Sequence, residues 1–474
     1  MHYGAIVIGA GAAGCSAALE ASMLGMDVLL VDAAPLPGQG SLARGALDMA
    51  VLRDAIGAAR DPGHGKLDPS ALLDRRRTVL RRHVGRMSRR LREAGVRFER
   101  GHASLRGPNE VFVEGHGTRR AEKVVIATGS RPRRPPRFPF DHRVVCDSDS
   151  IFRGAGARLR SLVIVGAEVE GCEFACLFAA LGASVTLVER RRRLLRCADP
   201  DILEVLHREM QSLGVVVALE EEVEKLEVRR HQDEPHAVVQ LASGRQEVCD
   251  RLLVLAGREP CTDAADLRRV GIDFDARGFI QVDECFQTRL PGVYAVGDVV
   301  GPPMRASVGI RQGRAAAQHA AGHRPAPITD APLAAHTIPE IAVVGLIEEA
   351  LKRLDIPYGV GKVDFSELLR AEIAGNVRGL MKIVFERGEH RLLGVQIIGP
   401  SASELLPLGA AMIQAGATID QLADLAFSHP SLSEAYRAAA LDGLASSQQR
   451  PPARVVGGGQ ARANTRCADT DGCL

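Results

Sequence analysis

The chain has 474 residues, too many for one hydrophobic core, so its length points to about three domains. Its 46% apolar and 25% charged residues are those of an ordinary globular protein. The 60 basic against 58 acidic residues give no bulk-charge case for a nucleic-acid or membrane partner. No apolar run reaches membrane-spanning length, Trp is absent, and ten scattered cysteines show no disulfide or metal framework. With a buried strand expected within a few residues of the N-terminus, these features lead us to expect a cytoplasmic protein without a signal peptide.

In chain order, Ala5–Ile8, a glycine run, a helix and Val28–Val31 predict a β–turn–α–β unit. An Arg-dense helix follows over Asp74–Glu93, with Val79, Leu80, Val84, Met87 and Leu91 as its apolar stripe and its arginines as a solvated face. A second β–turn–α–β unit is expected at Ser161–Glu189. From Pro332 the pattern becomes α+β: the strand-like runs IAVVGL, LMKIVFE and LLGVQIIG are followed by Ala- and Leu-rich helices ending near Ser447. The remainder is Gly-, Pro- and polar-rich and is expected to be a disordered tail. The expected fold is α/β, with two Rossmann-like dinucleotide-binding domains and a C-terminal α+β domain.

Gly9-x-Gly11-x-x-Gly14 follows a strand and opens a helix, and Asp32 ends the next strand. Such glycines permit a tight turn, close backbone approach to a pyrophosphate, and close helix–strand packing. The helix N-terminus attracts the anion and the acid binds a ribose. The second unit reads Gly166-x-Glu168-x-x-Gly171, with Glu189 as its acid.

VVIATGSRP (Val124–Pro132) and GVYAVGDV (Gly292–Val299), taken with the glycine motif, resemble the flavin motifs of the pyridine nucleotide–disulfide oxidoreductase family. LAGREP around Arg258 resembles that family's junction back towards the flavin domain. RASVGIRQGRAAA, TIPEIAVVG, IPYGVGKVDF and HPSLSEAYRAAALDGL look most like its soluble transhydrogenases and dihydrolipoamide dehydrogenases. The resemblance spans roughly residues 3–447. It implies a homodimer that binds FAD, with an FAD domain over 1–150, an NAD(P)-type domain over 151–270, a central region over 271–328 and a dimerisation domain over 329–447. Asp298 is implied as the ligand of the ribityl chain. Gly40, Ser41, Ala103, Thr128, Gly129, Arg258, Gly297 and Ala306 join the glycines and Asp32 in the implied flavin-binding set.

The sequence departs from the family at three places. Where the family carries two redox cysteines, this chain has Ser41 and Ala46, so no thiol–disulfide relay can run there. The family's lysine partner of Glu173 is replaced by Ala50; Glu173, if buried without a cation, is expected to titrate high. Glu168 stands where the second glycine belongs. Unit charges ~4 Å apart cost about 4 kcal/mol at an effective dielectric near 20, so a bare carboxylate there predicts weak or absent NAD(P)H binding. The alternatives are that the loop shifts and nucleotide still binds, or that Arg190–Arg193 neutralise the charge.

The resemblance also implies that His429 and Glu434 form the His–carboxylate pair that reaches the partner's flavin and moves substrate protons. Cys172 and Cys176, one helical turn apart, are expected to be packing residues. Cys467 and Cys473 resemble mobile redox arms, but no acceptor disulfide is present for them. The leading expectation is an FAD oxidoreductase acting directly on a small molecule at the flavin, with His429 as acid/base and Glu434, Glu173 and Ser41 beside it. The rivals are an NAD(P)H-dependent diaphorase or transhydrogenase, and a flavin-binding protein with little turnover.

Overall fold

A computed structural model describes residues 2–38, 49–53, 69–152, 159–231, 234–262, 267–328 and 331–448. The chain divides into two compact units: residues 1–166 with 223–328, and residues 167–222 with 329–473. The expected tail, Cys467, Cys473, Gly40, Ser41 and Ala46 lie outside the described residues.

The first unit is built on a seven-stranded sheet. Its strands run Arg97–Arg100, Val28–Asp32, His2–Ile8, Gly117–Ile126, Glu110–Val113 and Ala103–Gly107, with Val293–Ala295 also pairing on Gly117–Ile126. The apolar runs AIVI and VLLV alternate between two cores. Ile6, Ile8, Leu29 and Val31 pack on one face, while Ala5, Val7, Val28 and Leu30 pack on the other. Near-continuous apolar strands are what burial on both faces demands.

The central pairings are parallel, but the 103–107 and 110–113 strands join them antiparallel, so this sheet is mixed. A hairpin needs only a short turn, whereas a parallel strand needs a crossover. The Arg-rich helix spans Pro69–Glu93 and buries Val84 and Leu91, with Val79, Leu80 and Met87 half-buried. Ser161–Val165, Arg251–Val254 and Val145–Cys146 form a parallel set, and Val223–His231, Glu234–Leu241 and Gln246–Cys249 form a three-stranded antiparallel meander.

In the second unit, helix Val169–Ala180 precedes the parallel pair Ser184–Glu189 and Val216–Leu219, with helix Pro200–Ser212 between them. Leu333–Ala335, Glu340–Gly345, Leu392–Gly399, Leu380–Glu386 and Tyr358–Asp364 form an antiparallel five-stranded sheet in that order. Met381, Ile383, Phe385, Val395 and Ile397 share a core with Leu406, Ala435, Tyr436 and Ala439. The Tyr436 hydroxyl donates to the Leu405 carbonyl at 2.8 Å and accepts from the Gly409 N–H at 3.1 Å, so the ring is buried without stranding its polar tip.

The architecture is α/β, with two Rossmann-like β–turn–α–β segments and a C-terminal α+β domain. Among the described residues no helix is long and apolar enough to cross a membrane.

Candidate functional site

The first glycine loop is fixed by the backbone positions its sequence demands. Gly9 has φ +102°, a conformation that favours glycine, and a Cβ there would lie 2.3 Å from the Ala127 carbonyl oxygen. At Gly14 a Cβ would fall 1.8 Å from the Gly9 carbonyl oxygen, so only glycine lets helix Ala12–Met23 start against the strand. Asp32 braces the loop by accepting from the Ala10 N–H at 2.5 Å and the Ala34 N–H at 2.7 Å. The Cys15 thiol donates to the Ala10 carbonyl at 3.2 Å, and burial, the largest cause, pushes its pKa up to about 12.

The other motif residues of this unit converge. The Ser130 hydroxyl donates to the Asp298 carboxylate at 2.6 Å and accepts from Arg258 Nε at 2.7 Å. Arg258 Nη2 also donates to the Ser130 carbonyl at 3.0 Å. The antiparallel pairing of Arg258–Pro260 with Ser130–Pro132 sets that register. Gly297, at φ +80°, opens the turn carrying Asp298, and its N–H donates to Gln312 Oε1 at 2.7 Å.

The Thr128 hydroxyl is buried with no hydrogen-bond partner, an orphan that a polar ligand group would satisfy. The residues present therefore fit FAD, with the Gly9–Gly14 loop, Asp32, Thr128, Gly129 and Asp298 as those that would hold it. Ala103 lies in strand Ala103–Gly107 and Ala306 opens helix Ala306–Ala320. Ser130 and Gln312 escaped the sequence reading, although Ser130 sits inside the ATGSRP motif that signals the site.

The second loop repeats the first closely. Gly166, the last residue of the first unit, has φ +105° against +102° at Gly9. Glu168 opens its helix at φ −76°, ψ −171°, where Gly11 has −75° and −170°. That extended conformation suits any residue, so the carboxylate is carried without distorting the backbone. Glu189 accepts from the Ala167 N–H at 2.9 Å and the Arg191 N–H at 3.1 Å, the same two positions that Asp32 braces. The Cys172 thiol donates to the Ala167 carbonyl at 3.4 Å, as Cys15 does to Ala10. Cys172 and Cys176 are both buried, and burial drives the Cys172 pKa well up.

What differs is the charge around Glu168. Its Oε1 accepts from Arg191 Nη1 at 2.5 Å and from Arg196 Nε at 2.8 Å. Arg191 also pairs with Glu189, through Nε at 2.8 Å and Nη2 at 3.1 Å. Desolvation alone would raise the Glu189 pKa, but hydrogen bonds from the Arg191 side chain and from the Ala167 and Arg191 N–H groups together hold it below its usual value.

The ground for expecting absent NAD(P)H binding is therefore corrected. Its premise was a bare carboxylate against a pyrophosphate, and this carboxylate is neutralised by two guanidinium groups on an undistorted loop. Gly171, the third position of the motif, is buried in the first turn of helix Val169–Ala180.

Glu173 is 3% exposed and accepts from the His336 N–H at 2.7 Å, so a backbone amide meets the carboxylate that the sequence left without its lysine. Ala50 lies in a short helical segment at 49–53. His429 Nδ1 is 2.9 Å from Glu434 Oε1, and the other Glu434 oxygen accepts from the Ser431 N–H at 3.0 Å. The His429 side chain is 66% exposed. The hydrogen bond from His429, then that from the Ser431 N–H, holds the Glu434 carboxyl below its usual pKa. The pair is thus an oriented imidazole with Nε2 left for another partner.

Comparison with known proteins agrees with this layout. Residues 3–313 match the pyridine nucleotide-disulphide oxidoreductase family and residues 331–440 match its dimerisation domain. The chain is 36% identical to a soluble pyridine nucleotide transhydrogenase from Mycobacterium bovis, over 93% of this chain and 97% of that protein. It is 35% identical to one from Salmonella gallinarum, over 93% and 98%. Among solved structures, LpdA from Mycobacterium tuberculosis superposes with a TM-score of 0.84 at 26% identity, over 92% of this chain and 99% of that one. The HOCl-induced flavoprotein disulfide reductase RclA from Escherichia coli gives 0.84 at 23%, over 93% and 99%, a likeness of fold.

Proposed function

Because this chain belongs to the pyridine nucleotide-disulphide oxidoreductase family of FAD-dependent enzymes, we propose that it exchanges reducing equivalents directly between nicotinamide nucleotides at the flavin, as a transhydrogenase or diaphorase without a thiol relay. The observation that carries this reading is the neutral Glu168–Arg191–Arg196–Glu189 cluster on a loop with the flavin loop's own backbone geometry. FAD, which the Gly9–Gly14 loop, Asp32, Thr128 and Asp298 would hold, would supply two-electron chemistry between one donor and one acceptor. With Ser41 and Ala46 in the cysteine positions, no thiol pair stands there to carry those electrons on to a disulfide. The transhydrogenase names of the relatives support the same assignment.

The oriented His429–Glu434 pair favours a second, compatible reading, in which a small molecule other than nicotinamide is the acceptor. Hydride exchange between nicotinamides needs no proton, whereas an acceptor that gains one would draw it from His429 across a homodimer interface. Glu434 fixes the imidazole tautomer.

Anaerobic stopped-flow reduction of the bound flavin tests the proposal. Rapid bleaching by micromolar NADH or NADPH is expected. A flavin reduced by dithionite but by neither nucleotide would sink it.

A further inference from the structure

Glu168 occupies a loop position where the two glycine motifs differ in chemistry while agreeing in backbone. In the flavin half the matching positions are Gly11 and Ala34, which present no side-chain charge. In the second half they are Glu168 and Arg191, and the two side chains are bonded to each other. Arg196 adds a second guanidinium to the same carboxylate oxygen.

Three details describe the state of that carboxylate. Its other oxygen is buried and has no hydrogen-bond partner. It makes no capping bond to helix Val169–Ala180, although Glu168 is the residue that opens this 12-residue helix. Finally, the cluster is balanced: Glu168 and Glu189 against Arg191 and Arg196.

We propose that Glu168 is a built-in anion that a nicotinamide dinucleotide must displace, its phosphate oxygens taking over Arg191 and Arg196. The inference rests on the nucleotide-binding reading above and adds how this site sets its affinity. Guanidinium groups bind phosphate at least as well as carboxylate, and two held side by side form a ready phosphate receiver. Glu168 keeps them positioned and charge-balanced when no nucleotide is bound. Binding exchanges one anion for another, so part of the phosphate–arginine attraction is used to release the carboxylate, and affinity falls relative to a glycine at this position. No bond is made or broken and no proton moves in the exchange.

The test is calorimetric titration of the FAD-loaded protein with NAD+ and with NADP+, oxidised forms that cannot reduce the flavin. Glu168→Gln removes the charge and keeps the shape, and Glu168→Gly restores the residue found in the flavin half. Both should bind NADP+ about five- to tenfold more tightly than wild type, the range for freeing one partly buried ion pair. Arg196→Ala should bind more weakly. Equal tightening for NAD+ and NADP+ assigns the arginines to the shared pyrophosphate, and a larger gain for NADP+ assigns them to the ribose phosphate; either supports the inference. Unchanged or weaker binding by both Glu168 variants, with wild type binding normally, would overturn it and leave the nucleotide-binding reading intact. No binding of either nucleotide by wild type or any variant would overturn both.

Discussion

Arg191 is the residue on which the second loop depends. Its guanidinium faces Glu168 and Glu189 together, and Glu189 is 3% exposed. Arg191→Ala leaves Glu189 without its cation and Glu168 with Arg196 alone, and should cost about 1–3 kcal/mol, a partly exposed pair losing less than a fully buried one. The pH dependence follows from Glu189, whose pKa is depressed below 4.5 in the folded chain. A depressed folded pKa contributes stability above the unfolded value and loses it as pH falls. The gap between wild type and Arg191→Ala should therefore be full near neutrality and narrow as pH drops below about 4.5, read by denaturant melts across that range. At the same scale, His429→Ala should leave nicotinamide-to-nicotinamide exchange near wild type. It should slow an acceptor that takes up a proton by about a hundredfold or more, the usual worth of a positioned acid/base. Equal effects on both reactions would remove His429 from proton transfer.

Between elements, two close contacts carry large consequences. Helix Ala12–Met23 meets helix Ala306–Ala320 at Gly313, where a Cβ would lie 2.3 Å from the Ala13 carbonyl oxygen. Gly313→Ala must push the helices apart, and a loss of about 1–3 kcal/mol with reduced FAD retention is expected from a thermal melt followed by flavin absorbance. In the second unit, strand Leu380–Glu386 buries Lys382 completely, with Nζ 3.1 Å from Asp199 and 2.5 Å from Asp201, and paired with Glu348 as well. Desolvation lowers this lysine's pKa, but the Asp201 and Glu348 hydrogen bonds outweigh it and lift the value to about 12. A raised folded pKa means its contribution is complete below 10.5 and is lost only as pH rises through about 12. Lys382→Met leaves Asp199, itself 1% exposed, without its cation and should cost about 3–5 kcal/mol, measured by urea unfolding at neutral pH.

Across the whole molecule, the features legible in the sequence were the local ones. Gly9, Gly14 and Asp32 stand at fixed spacings because one turn and one strand end impose them, so the flavin loop can be read from a dozen residues. The His429–Glu434 contact was legible only through resemblance, since a five-residue spacing does not itself bring an imidazole and a carboxylate to 2.9 Å. The pairing of Glu168 with Arg196 spans 28 residues and depends on how the chain turns after Glu189, which no local pattern encodes. That is why a carboxylate in a glycine position read as a lesion and proved to be one member of a balanced cluster. The meander over 223–249 went unread because charged residues interrupt its alternation in VEKLEVRRH, although EPHAVVQL shows it in burial.

In the proposed function electrons pass between nicotinamides at the flavin with no thiol between them. Anaerobic transfer from NADPH to the thionicotinamide analogue of NAD+, run with and without arsenite, tests it most directly, because arsenite captures paired thiols. Flavin-dependent transfer that arsenite leaves unchanged is expected. No transfer by FAD-replete protein, or transfer abolished by arsenite, would contradict it.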